Sequence, residues 1–148
     1  SVSGDSFVTG AHGLKIAADF ALSGADTAKF DAVLLPGGGP GVQRLKASAD
    51  VERVVCDFND KNKWIFAICA APLVLSKAGL LVDRTATCFP GCEVELVCSK
   101  FVEDRVVVDG NIVTSRGAGT AEEFAFECIA QLGGRDLSEK IRKQVVAR

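Results

Sequence analysis

Residues 64–72 read WIFAICAAP, an apolar run that stops on a cysteine, adds two alanines and then places a proline. Trp64 to Ile68 is short, continuous and apolar, the pattern of a strand buried on both faces of a parallel sheet. Proline suits the first turn of a helix, where its missing N–H would have no partner in any case. Residues 70–78 read as that helix, and Gly79 stands where it should end. Cys69 therefore falls at a strand-to-helix corner, the place where α/β enzymes hold a nucleophile out toward substrate. The helix start sets partial positive charge near the sulfur and favours the thiolate. Ala70 and Ala71 are small, which leaves the backbone N–H groups of the turn approachable. The competing reading is a buried structural cysteine, a common fate for this residue type.

A second corner lies upstream. Ala32 to Leu35 (AVLL) is another buried strand, and it runs into PGGGPG at residues 36–41. Gly37, Gly38 and Gly39 allow positive φ and can point bare N–H groups at a ligand. Neither nucleotide-binding pattern fits, because no GK[ST] follows and the GxGxxG spacing is missing. A tight strand-to-helix turn without ligand is the alternative. After Ser48 the period changes: Val51, Val54, Val55 and Phe58 fall at i, i+3, i+4 and i+7, one face of an amphipathic helix. Ligands of an open parallel sheet gather outside the carboxyl ends of its strands. Both corners belong on that edge, where they can lie side by side.

Downstream, Thr85 to Cys88 is a candidate third strand, and Asp109-Gly110 is a hairpin turn signal between Val106–Val108 and Asn111–Thr114. Thr120 with Glu123, and Asp136 with Glu139, have capping-box spacing at the start of two further helices. Gly133-Gly134 closes the first of them. Strands alternating with helices, with no repeat and no linker, predict one α/β domain over residues 1–148 with a mostly parallel sheet.

Composition narrows the function. A hydrophobic share of 48% with 24% charged residues is that of a globular domain with a real core. The net charge of -2 comes without a basic stripe, which argues against nucleic acid. No apolar run approaches the roughly 18 residues of a membrane helix. The six cysteines, at 56, 69, 88, 92, 98 and 128, sit mostly in apolar segments, so reduced thiols in a cytoplasmic compartment are expected. Cys88, Cys92 and Cys98 lack the paired CxxC of a zinc site, and neither metal nor cofactor is expected. The only histidine, His12, precedes Cys69, so a Cys-His-Asp triad in its usual chain order cannot form within this chain.

DAVLLPGGGPG, AICAAP and VTSRGAGTAEEFA together resemble the ThiJ/PfpI superfamily, and within it the protein deglycase branch. The resemblance runs from about residue 7 to the end, with the motifs in family order. It implies a flavodoxin-like three-layer α/β sandwich that forms homodimers. It assigns Cys69 as the oxidation-sensitive nucleophile, and the backbone of Gly37, Gly38 and Ala70 as the oxyanion side of the pocket. His12 aligns where relatives carry an arginine that reaches the partner subunit. The substrates implied are methylglyoxal or its early adducts on protein side chains, in glyoxalase III or deglycase chemistry. The alternative is a non-enzymatic oxidative-stress sensor or redox-regulated chaperone. Phe89 replaces a histidine frequent in the family, Ala118 a proline, and Ala71 a glycine. The family's first strand-helix-strand unit, whose glutamate hydrogen-bonds the cysteine, has no counterpart among these residues. The expectation is that this segment exists as a separate chain or was cleaved after folding.

Overall fold

Residue alternation along the central strands sets the layers of this fold. The structure, a computed structural model, describes residues 1–10 and 12–147. It opens with a small antiparallel hairpin of β1 (Phe7–Thr9) and β2 (Lys15–Ala17) that, among the described residues, pairs with no other strand. Next come β3 (Ala32–Leu35), α1 (Gly39–Ala47), α2 (Ala49–Asp60), β4 (Trp64–Ile68) and α3 (Pro72–Lys77). The rest is β5 (Thr85–Ala86), β6 (Lys100–Phe101), β7 (Val106–Asp109), β8 (Ile112–Ser115), α4 (Ala121–Gly133) and α5 (Arg135–Gln144).

The main sheet has the order β3-β4-β8-β7, parallel except for the β7–β8 hairpin. Successive residues of β4 point to opposite faces. Ile65 and Ala67 pack with Val51, Val54, Val55 and Phe58 of α2, while Phe66 packs with Val113 and with Phe124 and Cys128 of α4. The Phe66 and Phe124 rings meet edge to face at 6.4 Å. Helices thus cover both faces of a mostly parallel sheet, giving the three-layer flavodoxin-like sandwich. Each large apolar side chain buried this way contributes roughly 1.5–3 kcal/mol relative to exposure.

Ser48 caps α2, its Oγ accepting from the Val51 N–H at 3.3 Å. Two local expectations hold for the reasons given: Pro72 opens α3 and Gly134 ends α4 with φ 88. Others need correction. Asp109 is still paired, with Ile112, so the hairpin loop is Gly110-Asn111, and only Gly110 has positive φ (59). That is the type II′ pattern. Neither downstream capping box forms. Thr120 turns its hydroxyl to Gly117 and Ser115, and Glu123 pairs with Arg105 at 2.8 Å. Arg135 begins α5 after Gly134, which puts Asp136 inside the first turn.

The candidate strand at Thr85–Cys88 shrinks to Thr85–Ala86, paired with β6 in a separate two-stranded sheet. Side chains replace a backbone ladder here. The Thr85 N–H donates to Asp109 Oδ2 at 2.7 Å and the Thr87 N–H to Thr114 Oγ1 at 3.0 Å. These bonds lay the segment along the β7–β8 hairpin and carry Cys88 and Phe89 toward the carboxyl edge. Among the described residues no helix is long and apolar enough to cross a membrane.

Candidate functional site

The two corners meet. β3 and β4 are parallel neighbours with Leu35 opposite Ala67, so their glycine and cysteine turns emerge together. Cys69 holds φ 66, a left-handed conformation that costs a side-chain-bearing residue roughly 1–2 kcal/mol. Three backbone bonds hold it there. Its N–H donates to Ser115 O at 2.9 Å, its carbonyl accepts from the Phe89 N–H at 2.8 Å, and the Ala71 N–H closes back on Ile68 O at 3.1 Å. The corner is therefore fixed by β8 and by the segment after β5 as well as by its own turn.

Gly37 explains why a glycine must face this corner. A Cβ at residue 37 would lie 2.5 Å from Cys69 Cβ, 3.0 Å from Ile68 O and 3.1 Å from the Cys69 sulfur. No other residue type fits without moving the cysteine. Gly38 supplies the positive φ (97) that turns the chain into α1. Among the described residues no acceptor takes the N–H groups of Gly37, Gly38 or Ala70, which stay available to a developing oxyanion. Cys69 and Gly37 are half-buried, Gly38 is exposed and Ala70 sits 9% exposed at the base of the turn.

The third motif acts from behind. Ser115 Oγ donates to Arg105 O at 2.8 Å and lies 2.6 Å from Thr120 Oγ1, which also accepts from the Gly117 N–H at 3.0 Å. This network fixes the Ser115 carbonyl that receives the Cys69 N–H. Gly117 makes room for Phe89: a Cβ there would stand 3.2 Å from the phenyl ring. Phe89, 46% exposed, places an apolar surface beside the cysteine corner.

Other thiols crowd the same edge. The Cys92 N–H donates to Phe89 O at 2.9 Å, and Cys92 packs against the apolar cluster containing Ala70 and Ala71. Burial raises the Cys92 thiol, with further contributions from the charges of Cys69, Glu95 and Glu93, while Lys46 opposes them. Lys46 Nζ pairs with Glu95 at 3.0 Å. Cys88 is wholly buried, and burial pushes its thiol up to about 12. His12 is exposed in the turn of the β1–β2 hairpin, apart from these groups. Among the described residues no carboxylate hydrogen-bonds Cys69.

The expected group of Cys69, Gly37, Gly38 and Ala70 is therefore brought together in space. Sequence reasoning missed Ser115 as the anchor of the corner, and it considered Cys92 as a failed zinc ligand. Neither gives a local signal, because both contacts come from chain segments far from the WIFAICAAP run.

The fold and site define a class: a flavodoxin-like α/β sandwich with a cysteine held in a strained turn at the carboxyl edge of its sheet. Residues 1–131 match the model of the DJ-1/PfpI family, and the chain belongs to that family. It is 39% identical over 143 residues to Protein DJ-1 homolog B of Arabidopsis thaliana, covering 95% of this chain and 33% of the plant protein. It is 34% identical over 127 residues to the glutathione-independent glyoxalase DJ-1 of Schizosaccharomyces pombe, covering 83% of this chain and 66% of that one. The crystal structure of Drosophila melanogaster DJ-1beta superposes with a TM-score of 0.93 at 35% identity, covering 99% of this chain and 80% of the fly chain. The chain thus spans about a third of the length of the Arabidopsis relative.

Proposed function

We propose that this chain carries a Cys69-dependent activity on small reactive aldehydes, methylglyoxal or its early adducts on protein side chains, of the glyoxalase III or deglycase type. The observation that carries the reading is the strained corner, where Cys69 at φ 66 meets Gly37 and the free N–H groups of Gly37, Gly38 and Ala70. A relative named as a glutathione-independent glyoxalase supports the choice of substrate. In this reading the Cys69 thiolate adds to the aldehyde carbon and forms a hemithioacetal, whose oxyanion the three N–H groups receive. A proton then moves from the former aldehyde carbon to the neighbouring one, and water releases the hydroxy acid from the resulting thioester.

The proton transfer needs an acid–base group. The family resemblance gives this role to a glutamate hydrogen-bonded to the cysteine. A homodimer in the cytoplasm, with His12 reaching the partner subunit, completes the proposal. The exposed Phe7, Leu14 and Ile16 of the β1–β2 hairpin are the apolar surface a second copy would cover.

The decisive assay is methylglyoxal conversion to lactate without glutathione. C69A is expected to lower kcat/KM by more than about 10³-fold, the scale seen when a nucleophile is removed. Equal turnover by wild type and C69A would refute the reading. A second reading, a redox sensor or redox-regulated chaperone, is favoured by one specific observation, the cysteine placed beside Cys69.

A further inference from the structure

We propose that Cys92 is the resolving partner of Cys69, capturing oxidised Cys69 in a reversible disulfide. The inference rests on the second reading above, that Cys69 is an oxidation-sensitive thiol. The two backbones are linked through one residue, since the Phe89 N–H donates to Cys69 O at 2.8 Å and the Cys92 N–H donates to Phe89 O at 2.9 Å. Cys92 packs against the cluster that includes Ala70 and Ala71, the two residues directly after Cys69. Between Phe89 and Cys92 lies Gly91 with φ 91, a residue free to absorb the backbone adjustment that closing an S–S bond requires.

The other thiols fit the role less well. Cys88 and Cys128 are buried, and Cys56 lies on α2. Cys98 is half-buried and shares the apolar cluster, but the N–H of the next residue, Ser99, ties that segment to Leu81 O and Arg84 O, whereas Cys92 is bonded to Phe89, the residue that bonds Cys69. Because its thiol is raised, Cys92 stays protonated near neutral pH and is a poor first target for oxidant. It therefore survives to react second.

The chemistry needs a hydroperoxide as oxidant and a dithiol as reductant. The Cys69 thiolate attacks the terminal peroxide oxygen. The O–O bond breaks, water or an alcohol leaves, and Cys69 becomes a sulfenic acid, its sulfur oxidised by two electrons. The Cys92 sulfur then attacks the Cys69 sulfur. An S–S bond forms, the S–O bond breaks, and the hydroxide leaves as water with the Cys92 proton. Exchange with a dithiol returns both thiols and oxidises the dithiol in their place. A cysteine without such a partner goes on to sulfinic acid, which a dithiol does not reverse.

The test treats wild type, C92S and C98S with graded hydrogen peroxide, blocks free thiols with iodoacetamide and sequences the tryptic peptides by mass spectrometry. Cys69 lies in residues 64–77, and Cys92 shares residues 85–100 with Cys88 and Cys98, so fragment ions must assign the link. The expected result is a 69–92 linked peptide in wild type and C98S that dithiothreitol removes. In C92S that peptide is lost and Cys69 accumulates as sulfinic acid. If wild type and C92S form Cys69 sulfinic acid alike with no 69–92 link, the proposal is overturned while the sensor reading stands. If Cys69 resists peroxide in every protein, the sensor reading fails and takes the proposal with it. A Cys69 link to Cys88 or Cys98 in wild type also overturns the assignment of Cys92.

Discussion

At Cys69 a single dihedral angle sets the shape of the corner. A non-glycine residue at φ 66 is under strain that persists only because surrounding bonds dictate it. Glycine relieves that strain but orders more chain entropy on folding. C69G is therefore expected to be as stable as C69A or more so, by up to about 1 kcal/mol in urea denaturation. A C69A protein clearly more stable than C69G would show that the corner is relaxed. The residue types of this site were legible in the sequence, since a cysteine, two alanines and a proline after a buried run leave few alternatives. Its depth was not. That Gly37 touches the cysteine follows from the pairing of two strands about thirty residues apart, and no local pattern encodes such an approach.

Elements explain why the corner is stiff. Strand β4 is flanked by β3 and β8, and each neighbour reaches the cysteine at its carboxyl end, β3 through Gly37 and β8 through Ser115. G37A tests this junction. The added methyl would drive the β3 turn off the β4 turn, costing about 1–3 kcal/mol as overpacking does. Thermal unfolding should move down, and Cys69 should change its rate of alkylation by iodoacetamide because its turn has shifted. An unchanged melting temperature together with an unchanged rate would mean that the two turns are further apart than described.

The long-period patterns of the elements were legible, the α2 stripe of Val51, Val54, Val55 and Phe58 best of all, because all four are buried. The short signals failed where tertiary partners outbid local ones. Thr120 gave its hydroxyl to Gly117 and Ser115, and Glu123 went to Arg105. Thr85–Cys88 has strand composition, yet side chains of the neighbouring hairpin take the N–H groups of Thr85 and Thr87.

Across the whole molecule, two thiols tie stability to alkaline pH. Burial pushes Cys88 and Cys128 each up to about 12 in the folded protein. Unfolded, a cysteine titrates near ~8.5. The folded state then holds more protons between these values, so its stability is fully present below ~8.5 and falls as pH climbs toward the folded values. Melting temperature is expected to decline steadily on the alkaline side, and the C88A/C128A double variant should show a flatter decline whatever its stability at neutral pH. Parallel declines in the two proteins would contradict the burial of these thiols.

The pairing order of the main sheet also sets the sequence in which the molecule opens. Among the described residues β3 has a sheet neighbour on one side only and Leu34 half exposed, whereas β4 is bonded on both sides and covered by helices on both faces. Local opening begins at such edges and reaches central strands last. Amide hydrogens of β4, and that of Cys69 bonded to Ser115, are expected to exchange most slowly, and those of the glycine turn facing them faster. The Cys69 corner thus joins a strand bonded on both sides to one bonded on a single side, and opening of the β3 side would widen the approach to the cysteine without moving it.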